Sequence, residues 1–212
     1  MAEFTLHCFA QSGNCYKVAQ MLEFCGADWD PVFVDFFKGE ARSESFRTEV
    51  NEMGEAPSLT HGDIHMTQSG VMLDYLSQKY QKFGARSEAD HREILRWTLW
   101  DNHKLSAQLG TWRFMTNFLP EKYRNDDVNA FLRGRTTAAM AILDQRLSGR
   151  DWVATDQMST ADISCAGYIY YLDETDLDIA DYPNIARWRD AIAALDGWSH
   201  PYDLMPGHPM TG

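Results

Sequence analysis

Residues 51–76 read NEMGEAPSLTHGDIHMTQSGVMLDYL. A proline cannot donate to a sheet ladder, so Pro57 belongs at the start of a strand or on an edge. Glu55-Ala56-Pro57-Ser58-Leu59 therefore reads as the entry to a short strand. Thr60-His61-Gly62-Asp63 reads as a turn, and Ile64-His65-Met66 as the return strand of a hairpin. Gln68-Ser69 then opens an apolar run, Val71, Met72, Tyr75 and Leu76, at helical spacing. A helix start leaves backbone N–H groups unpaired, and a serine there caps them or helps hold an anion. On its own, the stretch also fits an ordinary hairpin leading into an amphipathic helix.

Upstream, Phe4 to Phe9 reads as a strand and Ala10 to Asn14 as a tight connection. A helix follows with Cys15, Val18, Ala19, Leu22 and Cys25 on one face and Gly26 as its stop. A second strand, Asp30 to Val34, closes a β-α-β unit, which requires a parallel pair and a right-handed crossover. Phe36 to Val50 is polar and irregular, with one short helix at Glu44 to Glu49. The order β-α-β-α-β-β-α is the thioredoxin-like arrangement.

In such folds the first helix's start is where redox proteins place Cys-x-x-Cys, because the dipole and free N–H groups favour a thiolate. Here the two positions hold Ser12 and Cys15. A serine forms no disulfide, so dithiol exchange is excluded at this site. Its hydroxyl can still donate a hydrogen bond to a sulfur anion. Ser12 and Asn14 also suit plain helix capping. Cys15 lies on the apolar face and reads as a small core residue, and Lys17 as a solvated or ion-paired charge.

Gly-x-Ala-Pro-x-Leu at Gly54 to Leu59, followed after eight residues by Gln68-Ser69, resembles the glutathione-binding half of the cytosolic glutathione transferases. Ser12-x-Asn14-x-x-Lys17 resembles the active-site loop of a bacterial branch of that family. The resemblance implies a cis bond before Pro57, with the backbone of Ala56 meeting the cysteinyl part of glutathione. Valine is usual at that place, so Ala56 is a departure at a contact made by backbone. The resemblance further implies that Gln68 and Ser69 grip the γ-glutamyl end and that Ser12 and Asn14 face the sulfur. Arg42 or Lys38 would meet the glycyl carboxylate.

Gln81 to Ser87, QKFGARS, breaks the periodicity and reads as a linker between domain 1–80 and domain 88–212. Beyond it only helices are expected, giving an α/β thioredoxin-like domain followed by an all-α domain. One helix runs from Glu88 to Met115 with Ile94, Trp97, Leu105 and Leu109 inward. Another runs from Asp126 to Leu147 with Val128, Phe131, Ala138, Ile142 and Leu143 at core spacing. Later helices fall near Thr160 to Leu172 and Ile185 to Leu195, and the tail from Pro201 has no obvious structure. Ser159-Thr160-Ala161-Asp162 is a capping box. It also matches a box on the family's central second-domain helix, which implies a buried, structural Asp162. The family's second-substrate pocket lies between the domains, and Trp112 and Met115 are nominated for it.

The 212 residues are 44% hydrophobic and 24% charged, ordinary for a globular chain. With 19 basic and 31 acidic residues the net charge is −12, which lacks the basic footprint of nucleic-acid binding. No run is long enough for a membrane span and no leader is visible, so a cytoplasmic location is expected. The four cysteines show no C-x-x-C or zinc spacing, His61 and His65 straddle a turn, and no metal site is expected. The resemblance implies an enzyme that activates glutathione as co-substrate. It would conjugate glutathione to a small apolar electrophile or use it to reduce disulfides or peroxides, as a homodimer. The second reading is a protein of this fold that binds glutathione or a partner without turnover.

Overall fold

The computed structural model describes residues 2–210. The chain divides into two compact units, Met1–Lys82 with Leu195–Gly212, and Phe83–Ala194. The tail thus groups with the first unit, whereas the sequence reading assigned all of 88–212 to the helical domain. The reason is hydrogen bonding: Gly197, Ser199, Pro206 and Gly207 offer carbonyls to donors near the first helix.

In the first unit β1 (Phe4–Cys8), α1 (Gly13–Cys25) and β2 (Trp29–Phe33) form the expected parallel unit. α2 (Glu44–Glu49) leads to β3 (Ser58–His61), β4 (Ile64–Thr67) and α3 (Ser69–Tyr80). The sheet order is β2-β1-β3-β4, with β3 antiparallel to both neighbours. β3 runs two residues further than expected: Thr60 and His61 pair with His65 and Ile64, leaving only Gly62-Asp63 to turn. Gly62 has φ +57°, a region that glycine enters without steric cost.

Helix α1 has definite ends. Ser12 caps its start, and Gly26 (φ +70°) ends it with bonds from Gly26 N–H to Glu23 C=O and Ala27 N–H to Leu22 C=O. That pair is the Schellman pattern. Its side chains are buried almost all round, including Lys17, which is fully enclosed rather than solvated. An amphipathic reading assumes one wet face, but α1 has the sheet, α3 and the tail helix α9 (Pro201–Leu204) packed about it.

The second unit opens with α4 (Glu88–Trp100), a π-helical turn (Asp101–Leu105), α5 (Ser106–Arg113) and another π turn (Phe114–Phe118). The long helix is therefore present but wider at two places. Ile94, Trp97, Leu105 and Leu109 are buried as expected. α6 (Asp126–Leu147) has the expected bounds, but its inward face is Leu132, Thr136, Ala139, Met140, Leu143 and Leu147. Of the expected core face Leu143 is buried, whereas Val128, Phe131, Ala138 and Ile142 are exposed. The helix has two apolar stripes, and spacing alone does not say which one meets the core.

α7 (Thr160–Ala166) begins at the capping box, and α8 (Pro183–Ala193) packs on α6. Asp162 is completely buried. Its Oδ1 accepts from Val153 N–H (2.7 Å) and Trp188 Nε1–H (3.0 Å), and its Oδ2 from Ser159 N–H (2.9 Å) and Oγ (3.0 Å). Burial pushes the carboxyl above its ordinary range, and the four donors pull against it. Asp162→Asn would turn an NH2 group toward two of those donors. The expected loss is about 3–5 kcal/mol, as for a broken buried network, read by urea denaturation. A loss under 1 kcal/mol would contradict the structural role.

Candidate functional site

Strand register assembles the site. Cys8 pairs with Phe33, His7 with Ser58, and Ser58 with Thr67. The C-terminal ends of β1, β2 and β4 and the N-terminal end of β3 therefore share one end of the sheet. The segments that leave this end carry Ser12 (9–12), Arg42 (34–42), Ala56-Pro57 and Gln68-Ser69. This pairing brings segments 56 positions apart in sequence to one end of the sheet.

Ser12 is nearly buried, with extended backbone (φ −97°, ψ 112°) suited to a cap. Its Oγ accepts from Cys15 N–H at 3.2 Å, and its own N–H donates to Phe9 C=O at 3.1 Å. A hydroxyl that accepts there also carries one proton to donate. Asn14 lies in the first turn of α1, half-buried, and its Oδ1 is enclosed with no hydrogen-bond partner among the described residues. The Cys15 side chain is fully enclosed, and burial pushes its thiol up to about 12, against hydrogen bonds from Ser12 and Phe9. It stays neutral at physiological pH, and a neutral buried thiol is a poor nucleophile.

The Ala56-Pro57 bond is cis. The N–H and C=O of Ala56 enter no hydrogen bond among the described residues, leaving them open to an extended ligand. Gln68 has φ +68° and ψ 113°, a conformation that costs an L-residue about 1–3 kcal/mol. Its exposed side chain donates to Glu55 Oε2 at 3.2 Å. Ser69 is the buried first residue of α3, with helix N–H groups free beside it. Arg42 is exposed, with its guanidinium 5.9 Å from the Phe36 ring centroid, and Lys38 pairs with Asp35 at 3.4 Å.

Ser12, Arg42, Ala56, Pro57, Gln68 and Ser69 thus all leave one end of the sheet, with Asn14 in the helix turn after Ser12. Trp112 and Met115 belong to the second unit. Trp112 lines a pocket of about 370 Å³ there with Arg113, Thr116, Asn129, Arg133 and Glu174, whereas Met115 is not part of its wall. Its wall carries two ion pairs, Arg113 with Glu174 at 2.7 Å and Arg133 with Asp176 at 2.9 Å. His61 and His65 bond to Tyr75 and Thr60, respectively. Gln11, which the sequence reading passed over, is nearly buried beside Ser12 and donates to Gly207 C=O at 2.7 Å. Nothing local in the sequence links residues so far apart.

A family model described as glutathione S-transferase, C-terminal domain, matches residues 110–196. Glutathione S-transferase F14 of Arabidopsis thaliana is 25% identical, across 96% of this chain and 87% of that one. The disulfide-bond oxidoreductase YfcG of Escherichia coli K12 is 24% identical, across 87% of each. The glutathione transferase URE2P8 of Phanerochaete chrysosporium, solved with oxidized glutathione, shares the fold at a TM-score of 0.86. It is 22% identical, across 96% of this chain and 95% of that one. Over residues 110–196 the chain is thus similar to the glutathione S-transferase C-terminal domain, and along most of its length to proteins named glutathione S-transferases.

All four cysteines are buried free thiols. At pH 8 the native protein should react with an aromatic disulfide reagent at essentially no thiol, and at all four once denatured. Fast native modification of one thiol, removed by Cys15→Ala, would contradict the burial argument.

Proposed function

We propose that this chain is a glutathione-dependent enzyme whose first unit binds the tripeptide and ionises its thiol. One observation carries the reading. A serine hydroxyl at a helix start, an unpaired peptide before a cis-proline and a Gln-Ser helix entry leave the same end of one sheet. In the pose this suggests, Gln68 and Ser69 take the γ-glutamyl group, Ala56 the cysteinyl backbone and Arg42 the glycyl carboxylate. Ser12 and Asn14 face the sulfur. The relatives' names support glutathione chemistry, since one is called a transferase and another a disulfide-bond oxidoreductase.

The chemistry required is modest. A thiol of pKa near 8.5 is only about 3% ionised at pH 7, and lowering it by about two units corresponds to ~2.7 kcal/mol. One charge-assisted hydrogen bond and a helix N-terminus supply that much. The resulting thiolate attacks either an apolar electrophile or a disulfide, and neither step needs a protein cysteine. A binder without turnover would have no use for a sulfur donor at Ser12, which disfavours the second reading. A cytoplasmic setting suits four free thiols. Val128, Phe131 and Ile142 on α6, with Leu95 and Leu99 on α4, are exposed apolar side chains that a second copy would cover, so the enzyme acts as a homodimer in this reading.

Ser12→Ala should raise the bound thiol's pKa, read from thiolate absorbance against pH. Turnover should fall about tenfold for each ~1.4 kcal/mol of transition-state stabilisation lost. Cys15→Ala should lower stability and leave the thiolate signal standing. A mixed disulfide at Cys15 in the parent, with activity lost in Cys15→Ala, would overturn the assignment. Ser69→Ala should weaken glutathione binding by about 1–3 kcal/mol by calorimetry, and an unchanged dissociation constant would rule out that end of the pose.

A further inference from the structure

The four-residue loop that delivers Ser12 is held by the far end of the chain. Ala10 N–H donates to Pro206 C=O at 2.8 Å, and Gln11 Nε2 donates to Gly207 C=O at 2.7 Å. The same segment is fastened to α1 below the loop. Tyr16 Oη donates to Ser199 C=O at 2.9 Å, Gln20 Nε2 to Gly197 C=O at 2.9 Å, and Ser199 N–H to Gln20 Oε1 at 3.0 Å. Gly207 has φ +98°, and a Cβ there would lie 2.5 Å from the Phe33 ring. Only glycine suits that close approach at that backbone angle.

We propose that Gln11 and the Pro206-Gly207 turn are positioning elements that set where Ser12 presents its hydroxyl. The proposal rests on the reading of Ser12 as donor to the glutathione sulfur. Ala10 is fully buried and Gln11 nearly so, and a buried donor left without its acceptor carries a desolvation penalty. Without the tail's carbonyls the loop relieves that penalty by moving, and Ser12 moves with it. A displacement of about 1 Å at such a donor can cost up to ~100-fold in rate. Gln11 itself need not touch glutathione to act this way, since its amide donates to Gly207.

The test uses the full chain with Gln11→Ala, which deletes the bond to Gly207, and Gly207→Val, which the backbone angle and Phe33 oppose. Amide exchange at Ala10, the thiolate titration of bound glutathione, and kcat against glutathione affinity are measured together. Both variants should exchange the Ala10 amide about tenfold faster. They should also raise the bound thiol's pKa and lower kcat about three- to tenfold. Glutathione affinity should stay within about twofold, because Ala56, Gln68 and Ser69 are untouched. Gln11→Ala is the decisive variant if Gly207→Val does not fold. Unchanged Ala10 exchange in Gln11→Ala would overturn the proposal. So would faster exchange with an unmoved thiol pKa and kcat, which would make the brace structural only. Absence of a thiolate signal in the parent would instead sink the glutathione reading. The exchange comparison would then still decide whether the brace holds the loop.

Discussion

The pairing of β1 with β3 and of β3 with β4 is the constraint on which the first unit depends. His7 opposite Ser58, and Ser58 opposite Thr67, bring three loops to one sheet end. A slip of one residue would also turn Leu6 and Leu59, which are paired and fully buried, to the wrong face. The hydrophobic effect therefore enforces the same register that aligns the polar groups. Full burial of each such leucine contributes about 1.5–3 kcal/mol, more than one sheet hydrogen bond.

The start of α1 separates two chemistries that lie three residues apart. Ser12 is placed outside the first turn, where its oxygen caps the helix and its hydroxyl also bonds the Cys15 sulfur. Cys15 is inside, where burial keeps its thiol neutral. The same helix dipole that would favour a thiolate at position 12 has little to act on at position 15, because the desolvation cost of an ion there is larger. The enclosed Lys17 shows how far this helix is surrounded.

The second unit rests on a different kind of constraint, a buried carboxylate that closes a helix start and holds Trp188. A second carboxylate, Asp101, is also buried, taking Ser106 Oγ at 2.7 Å and Ser164 Oγ at 2.6 Å where the long helix widens into a π turn. Polar groups enclosed this way are costly when half-satisfied and specific when satisfied. They fix how α4, α5 and α7 meet, which apolar packing alone leaves less sharply defined.

By itself the sequence determined the elements whose signals are local. The cap at Ser12 and the stop at Gly26, the proline before β3, the box at Ser159 to Asp162 and the break at 81–87 each act within a few residues. Their outcomes follow from backbone sterics and capping. The convergence of Ser12 with Gln68-Ser69 was legible only through resemblance, because spacing along the chain does not encode strand register. Tertiary structure decided which apolar stripe of α6 faces inward, since both have the helical period. It also decided that α1 has no wet side and that the tail from Leu195 belongs with the first unit. The bond from Gln11 to Gly207 joins residues 196 apart in the chain, and only the folded backbone brings that donor to that carbonyl.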